Sequence, residues 1–332
     1  MTRLAQLQRG TERRVALVQE PNLRLLEGVD SIYALGNLAL TRNTGLLALV
    51  QQHATGELLD YDAVYRGAGP WRLLAPIDHP EPARCLVSGT GLTHLGSAKD
   101  RQSMHTDATA IETDSMRMFR WGVEGGRAAA GKVGTPPEWF FKGVGTVLRG
   151  PGDPLQVSCY AEDGGEEAEI AGVYLIAPDG SPQRVGMTIG NEFSDHRFEK
   201  KNYLNLAGSK IRTCSIGPEL VLDPTFQSVN GRVAIERDGQ TVWSKAIATG
   251  EAEMCHNLQN IEHHHFKFES HRRPGDLHVH YFGAHSLSFG AGIQLVDGDI
   301  MVVEFSGFGR ALRNPLHVVP PPDRLVTVTS LA

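Results

Sequence analysis

Three glutamates stand where predicted strands begin or end. Glu167 and Glu169 lie at the start of an apolar run, and alternate side chains of a strand share a face, so both carboxylates are expected on one side. Glu192 follows the apolar run 185–189. Carboxylates at the edge of a core are costly unless they are neutralised, and a hard divalent cation neutralises them through oxygen ligands. The pattern therefore indicates a magnesium site, with solvated strand ends as the alternative.

The charge of this predicted site also indicates what it would bind. Three carboxylates around one divalent cation leave a net charge of about −1, and magnesium typically takes few carboxylates, so coordination positions remain for a ligand. A 2-keto acid suits these positions because it chelates through its carboxylate and its ketone oxygen. The sequence thus predicts a small 2-keto acid as substrate, with manganese and calcium as alternatives to magnesium.

Several short motifs occur in an order that matches one enzyme family. They are Pro137–Gly143 (P-E-W-F-F-K-G), Glu167–Glu169 (E-A-E), Asn191–Ser194 (N-E-F-S), Gly208–Lys210 (G-S-K), Ser215–Val221 (S-I-G-P-E-L-V), Val229–Val233 (V-N-G-R-V), Leu277–Ala284 and Asp297–Ile300. With these motifs the chain resembles the fumarylacetoacetate hydrolase superfamily over residues 83–320. The resemblance makes Glu167 and Glu169 the E-x-E metal pair. It adds Glu192 as third ligand, where the family usually has Asp, and places Lys210 at the active-site lysine.

Departures from the hydrolases of this family favour a different branch. Hydrolases carry a water-activating histidine in a G-x-N-Y-x-x-H segment, but the corresponding position here is Ser97. The branch that dehydrates 2-keto-3-deoxy-D-arabinonate has T-Y-x-x-S-x-x-x-R instead. The serine and the arginine of that pattern correspond to Ser97 and Arg101 of this chain. Glu199, where hydrolases tend to carry Gln, and the run 202–218 also resemble that branch. The resemblance therefore implies a hydro-lyase that converts a 2-keto-3-deoxypentonate to 2,5-dioxopentanoate in pentose catabolism.

The resemblance also suggests roles for the remaining candidates. Lys210 is the leading base for the C3 proton of the substrate, and Glu199 or His105 is the acid for the C4 hydroxyl. Most members have T-G-T where this chain has Phe282-Gly283-Ala284, so His285 or Ser286 is the expected substitute for the missing threonine. The predicted substrate contacts are Lys142, Ser97, Arg101, Arg197 and His285.

Simpler roles remain open for several of these side chains. Lys210 is alternatively a solvated loop lysine, and Glu199 lies in the charged run E-K-K that is typical of a solvated face. Arg197 is alternatively a partner of Glu199, and His105 an ordinary surface histidine.

Two other functions remain open at the level of the sequence. The first is a C–C bond hydrolase of the acylpyruvase type that cuts 2,4-diketo acids, with His94 or His105 as the base. The second is a binding module that has kept the fold and lost its chemistry. Retention of three acids and Lys210 argues against the binding module, because unused buried charge costs stability.

The histidines near the C-terminal end form a second pattern. The run His263-His264-His265 is unsuited to a shared metal, because consecutive residues of a helix do not share a face. His278 and His280 alternate on a predicted strand and share a face, which favours a hydrogen-bonded core pair over a metal pair.

Periodicity and turn residues predict the elements that must position the site. Strands are expected at 15–18, 23–26, 83–88, 156–161, 169–177, 183–189, 231–237, 240–248, 277–282 and 299–306. Helices are expected at 31–53 and 251–269, and a helix or a lid at 97–120. Prolines 76, 80 and 82 mark a linker, so we predict a small N-terminal domain of residues 1–80 and a catalytic domain of residues 81–332. The fold class is thus α+β and rich in strands, and the resemblance implies a mixed β-roll and β-sandwich catalytic domain.

Composition excludes several classes of partner. Charged residues make up 21% of the 332 residues, the net charge is −6, and no basic patch dominates, which argues against nucleic acid and membrane surfaces. The first 20 residues lack the apolar core of a secretory signal. The four cysteines form no C-x-x-C pair, which is typical of a reducing compartment. We expect a cytoplasmic enzyme, and the resemblance implies a homodimer.

Overall fold

The computed structural model describes residues 1–99, 113–320 and 325–331. The strands of these residues are β1 (Arg3–Arg9), β2 (Glu12–Gln19), β3 (Asn22–Leu25), β4 (Leu58–Asp60), β5 (Arg72–Leu73), β6 (Cys85–Gly91), β7 (Glu138–Val144), β8 (Leu148–Arg149), β9 (Leu155–Val157), β10 (Ala168–Ile176), β11 (Pro182–Asn191), β12 (Cys214–Val221), β13 (Val229–Arg237), β14 (Gln240–Thr249), β15 (Leu277–Tyr281), β16 (Ile300–Phe305) and β17 (Leu312–Val318). The α-helices span Ile32–Arg42, Leu46–His53, Tyr61–Tyr65, Asp114–Gly125, His196–Lys201, Leu206–Lys210 and Leu258–Phe266. Residues 95–99 are also helical.

The strands form a large sheet and a small one. The large sheet has the order β4-β3-β2-β1-β12-β11-β10-β15-β6-β7, with β5 paired to β1 and β8 to β12. The small sheet has the order β14-β13-β16-β17-β9. This architecture confirms the predicted α+β fold rich in strands. None of the helices in the described ranges is long and apolar enough to cross a membrane.

Two apolar clusters occupy opposite faces of the large sheet. On one face, Val173 of β10 and Val279 of β15 belong to a buried cluster with Ile32 and Leu35 of the first helix. The other cluster joins the two sheets and includes Ile170 of β10, which packs with residues of β11, β13 and β16. The start of β10 therefore lies between the two sheets, where polar side chains are shielded from water.

The first helical segment is divided, so the prediction of one helix over residues 31–53 was wrong. Asn43 adopts a left-handed conformation with φ 49°, and its N–H points to the carbonyls of Ala39 and Leu40. Asn tolerates this conformation better than most residues with a side chain. The chain therefore turns, and a second helix begins after Gly45.

Antiparallel pairing of β10 and β11 assembles the predicted carboxylates. Ala168 lies opposite Asn191, and Glu169 lies opposite Gly190. The start of one strand and the end of the other thus meet, and the N–H of Glu192 donates to the carbonyl of Glu167 at 2.9 Å. Carboxylates that are 25 positions apart in sequence are brought together by this register.

The N-terminal strands continue the large sheet. β1 pairs with β12 through Arg3 opposite Val221 and Leu4 opposite Leu220. Glu219 of β12 is buried and accepts hydrogen bonds from the Tyr61 hydroxyl at 2.7 Å and from Arg3 at 2.8 Å. The first 80 residues are therefore hydrogen-bonded to the rest of the chain, and the domain boundary near residue 80 stays a prediction.

Candidate metal centre

Glu167, Glu169 and Glu192 form a buried carboxylate cluster. One oxygen of each lies within 4.8 Å of the others, and within the described ranges no other group of three His, Cys, Asp or Glu side chains meets this geometry. Their side chains are almost fully enclosed, with exposed fractions of 4%, 1% and 0%. Burial excludes the alternative of solvated strand ends. Oxygen ligands at such spacing suit a hard divalent cation such as Mg²⁺.

Lys210 bridges two of these carboxylates. Its ammonium lies 2.5 Å from Glu167 Oε1, 2.5 Å from Glu192 Oε2 and 3.0 Å from Ser194 Oγ. The side chain is fully buried, and the ring of Phe140 lies 4.7 Å from the ammonium. Lys210 ends the short helix Leu206–Lys210, so the alternative of a solvated loop lysine is excluded.

A second fully buried lysine contacts the cluster from β7. Lys142 lies 2.6 Å from Glu192 Oε1 and donates to the carbonyl of Phe193. Burial lowers the pKa of Lys142, and the nearby charge of Glu192 acts in the opposite direction. The structure thus places this ammonium on protein oxygens, and its contact with a substrate carboxylate stays a prediction.

The carboxylates lie in an environment that disfavours their charge. Burial, with repulsion from Glu192 and Glu167, raises the pKa of Glu169 well above its ordinary value. Burial also raises the pKa of Glu192, although the ammonium groups of Lys142 and Lys210 act against this rise. Glu169 is supported by the N–H of Gly283, which donates to it at 2.6 Å. A cation between these groups would remove the repulsion.

His196 also contacts the cluster, and sequence reasoning missed it. Its Nε2 lies 3.1 Å from Glu167 Oε1, and the ring is buried. Burial lowers the pKa of His196, but the hydrogen bond to Glu167 and attraction to nearby carboxylates, first that of Glu167, together outweigh it, so the net direction is upward. The signal in the sequence was weak, because His196 opens a charged helix and only the next residue, Arg197, had been singled out.

Glu166 is a second residue that the sequence analysis did not select. It is fully buried and accepts from the Ser288 N–H and the Ser288 hydroxyl, both at 2.7 Å. Burial raises the pKa of Glu166. Together with the bond from Gly283 to Glu169, this contact holds the segment 283–288 against the start of β10.

The structure describes one of the two candidate acids, Glu199, but not the other, His105. Glu199 is buried, and Ser209 Oγ, beside Lys210, lies 3.5 Å from its Oε2. The alternative of a solvated Glu199 is therefore excluded. His105, the other candidate acid, lies outside the described residues, as does Arg101.

The other predicted substrate contacts are scattered around the cluster. Ser97 is buried, with its hydroxyl 3.5 Å from the carbonyl of His94. His285 is half-buried, and its ring meets that of His94 edge-on at 6.0 Å between centroids. Arg197 is exposed and lies 4.0 Å from Asp163, so the described contacts do not bring it to the carboxylates. Their roles toward a substrate stay predictions.

His94 has little freedom to act as a base. Its Nδ1 lies 2.8 Å from the hydroxyl of Thr93, and its Nε2 lies 3.1 Å from the hydroxyl of Thr249. Burial lowers the pKa of His94 to about 3. Such a ring is a weak base at neutral pH.

Three other histidines, His265, His278 and His280, form a buried cluster at β15. His265 Nε2 lies 3.0 Å from His278 Nδ1, and Trp139 donates to His265 Nδ1 at 3.2 Å. His280 lies 2.8 Å from each of the hydroxyls of Ser88 and Thr90. Most of the ring nitrogens of His265, His278 and His280 therefore have a hydrogen-bond partner. This is what a hydrogen-bonded core role of His278 and His280 predicts.

One curated protein resembles this chain over part of its length. It is a probable 2-keto-3-deoxyxylonate dehydratase from Haloferax volcanii, 32% identical over 181 residues, which are 52% of this chain and 58% of that protein. The chain therefore spans little more than half the length of this relative. No family model matches the chain.

Solved structures match the fold almost end to end. A hexagonal crystal form of 2-keto-3-deoxyarabinonate dehydratase has a TM-score of 0.72 and 19% identity, covering 96% of this chain and 100% of the other. The same coverage and identity hold for 2-keto-3-deoxy-D-arabinonate dehydratase complexed with magnesium and 2,5-dioxopentanoate, with a TM-score of 0.70. A 5-carboxymethyl-2-hydroxymuconate delta-isomerase from Mycobacterium smegmatis scores 0.57 at 18% identity, again over 96% and 100% of the chains. These likenesses confirm the fold that the motifs indicated.

Proposed function

We propose that the protein is a divalent-metal-dependent dehydratase that converts a 2-keto-3-deoxypentonate to 2,5-dioxopentanoate. One observation carries the proposal: the Lys210 ammonium lies 2.5 Å from both Glu167 and Glu192 inside a buried cluster of three carboxylates. This contact supports Lys210 as a proton-transfer group directly beside a cation site. The names of the curated relative and of the solved dehydratases support the choice of substrate.

Formal charges support an anionic substrate. With both lysines protonated and His196 neutral, three carboxylates, Lys142 and Lys210 sum to −1, and these five side chains are buried. A divalent cation changes the sum to +1, and one monoanionic ligand then makes the site neutral. Buried charge is tolerated when it is balanced and paired. A 2-keto acid, with its single carboxylate, provides this balance.

The residues present fit a magnesium ion, with manganese or calcium as alternatives. Glu167, Glu169 and Glu192 would hold it, because all three offer hard oxygen ligands from one buried cluster. When bound, such a cation acts as a Lewis acid toward the 2-keto oxygen and makes the C3 protons of the substrate more acidic. The carboxylate pair at the start of β10 would supply two of the three ligands.

Lys210 would act as the base at C3. After the ammonium has released its proton to solvent, the neutral amine accepts one C3 proton, and the hydroxyl at C4 leaves as water with a proton from an acid. Glu199 is the candidate acid within the described residues, because it is buried next to Ser209, one position from Lys210. Tautomerisation of the dehydrated product then gives the 5-aldehyde of 2,5-dioxopentanoate. The net change is loss of one water molecule, so no oxidant or reductant is required.

The test is product formation from 2-keto-3-deoxy-D-arabinonate with Mg²⁺, with and without a chelator. The proposal expects an aldehyde product that is lost on chelation and restored by added Mg²⁺. Pyruvate from a 2,4-diketo acid, without aldehyde from the sugar acid, would instead favour the hydrolase alternative. Both ring nitrogens of His94 are already hydrogen-bonded to hydroxyls, so the described structure gives that alternative no support.

We also propose a cellular setting and an assembly state. The reaction belongs to the non-phosphorylative breakdown of pentoses, and the enzyme would act in the cytoplasm as a homodimer. The sugar-acid substrates in the names of the related proteins support the pathway, and the homodimer rests on the family resemblance. Light scattering coupled to size-exclusion chromatography would test the dimer directly, and a mass near 36.2 kDa would refute it.

A further inference from the structure

Glu167 accepts two hydrogen bonds at the same oxygen. Its Oε1 lies 2.5 Å from the ammonium of Lys210 and 3.1 Å from Nε2 of His196. The two donors come from different helices, since His196 opens the helix His196–Lys201 and Lys210 ends the next one. Two donors at one oxygen fix both the plane of a carboxylate and the direction of its second oxygen.

Local packing fixes the ring of His196. A Cβ at Gly165 would lie 2.6 Å from His196 Nδ1, so the ring packs directly against this glycine. The ring of Phe289 lies 5.3 Å away between centroids, on the segment that follows Ser288. Because a carboxylate only accepts, Nε2 must donate the hydrogen bond to Glu167. Nδ1 is buried and has no hydrogen-bond partner among the residues that the structure describes.

Lys210 and His196 would behave differently toward Glu167 during the reaction. In the proposed mechanism Lys210 turns toward the substrate and exchanges a proton, so its contact with Glu167 changes within each turnover. His196 has no such task and stays on Glu167. We propose that His196 is a positioning residue that keeps Glu167 aimed at the cation while Lys210 acts as the base. This inference rests on the proposed function, because it assumes the cation site.

The experiment compares two amide replacements of His196 in substrate-free protein. His196→Gln places an amide nitrogen the same number of bonds from Cβ as Nε2, so it can still donate to Glu167. His196→Asn places its amide at the position of Nδ1 and cannot reach. Binding of Mn²⁺ is measured by titration calorimetry and by the electron paramagnetic resonance signal of free Mn²⁺. We expect His196→Gln to bind like wild type and His196→Asn to lose about 10–100-fold in affinity.

Two further variants separate positioning from general damage. His317→Asn changes an exposed histidine of β17 and should bind Mn²⁺ like wild type. Gly165→Ala displaces the His196 ring without changing its chemistry, and it should weaken Mn²⁺ binding even if His196→Asn fails to fold. Urea unfolding of each variant in chelator reports whether the fold is kept.

The outcomes distinguish the inference from the proposed function. Equal Mn²⁺ affinity for wild type, His196→Gln and His196→Asn would overturn the positioning role while leaving the cation site intact. Equal weakening in both amide variants would also overturn it, because a space-filling role would not discriminate Gln from Asn. Absence of Mn²⁺ binding by the wild type would refute the cation site itself, and the inference with it.

Discussion

Lys210 and Lys142 contact the same carboxylate but should differ in what their removal does. Lys210→Met deletes the proposed base, so we expect the dehydratase kcat to fall by about 10²–10⁴-fold while Mn²⁺ binding persists. Lys142→Met removes the 2.6 Å partner of Glu192 Oε1 but leaves Lys210 on Oε2, so we expect the free energy of unfolding in chelator to fall by about 1–3 kcal/mol. Steady-state kinetics and urea unfolding of both variants check this division. A Lys210→Met enzyme with near wild-type kcat would remove Lys210 from the chemistry.

Glu169 should stabilise the protein only when a cation is bound. Burial and the charges of its two partner glutamates raise its pKa, so its charge is costly in the apo protein. Glu169→Gln keeps an acceptor for the Gly283 N–H, and we expect a higher apo Tm. The free energy of unfolding of the wild type should rise by about 2.7 kcal/mol at a Mg²⁺ concentration of 100 times Kd, and that of the variant by much less.

Calorimetric Tm values in chelator and in Mg²⁺ measure both effects. Glu253→Gln, at an exposed position, is the matched control and should behave like wild type in both conditions. A variant that keeps the full Mg²⁺-dependent rise in Tm would show that Glu169 is not a ligand.

Strand periodicity and motif order both predicted the carboxylates, whereas motif order alone pointed to Lys210. His196 and Glu166 were missed for a physical reason. Their roles depend on partners far along the chain, Glu167 and Ser288, which only the folded register brings into contact. No local pattern encodes such a contact.

At the scale of elements, prediction succeeded where an apolar run is long, as in β10, in which every residue is buried. It also succeeded for the strands predicted at 231–237 and 240–248, which flank Asp238 and Gly239, both with positive φ, 52° and 76°. β12 is as fully buried as β10 but was missed, because Ser215 and Glu219 interrupt its apolar run. It also contains Gly217-Pro218, a pair more typical of turns.

The histidines that join β15 to the helix Leu258–Phe266 predict acid sensitivity. Burial lowers the pKa of His278 to about 4 and that of His280 to about 3, against 6.5 when exposed. The unfolded chain therefore binds more protons below pH 6.5, and stability is lost as the pH falls from there toward the folded pKa values. We expect a loss of up to about 2 kcal/mol per histidine at pH 5.

Urea midpoints from pH 7.5 to 5 measure this loss. His278→Asn keeps an acceptor for His265 at the Nδ1 position but cannot titrate, so its midpoint should fall less steeply with pH. The same slope as wild type would show that His278 does not contribute.

At the scale of the whole molecule, the N-terminal strands cover an edge that the site depends on. β12 lies between β1 and β11, and β11 ends at the residue before Glu192. Glu219 of β12 is buried, and burial raises its pKa, while Tyr61 and Arg3 donate to it. Removing the first 80 residues would expose the β12 edge and leave Glu219 without these two donors.

We therefore expect residues 81–332 alone to unfold without a cooperative transition and to bind no Mn²⁺. An uncovered strand edge presents unpaired backbone groups, and loss of partners around a buried carboxylate costs about 1–3 kcal/mol or more. Co-expression of residues 1–80 as a separate chain should restore both properties, because it returns β1 and Tyr61 to β12. Circular dichroism in urea and Mn²⁺ titration of the fragment, alone and with its complement, measure this. A fragment that unfolds cooperatively and binds Mn²⁺ by itself would instead establish the boundary near residue 80 as one between independent domains.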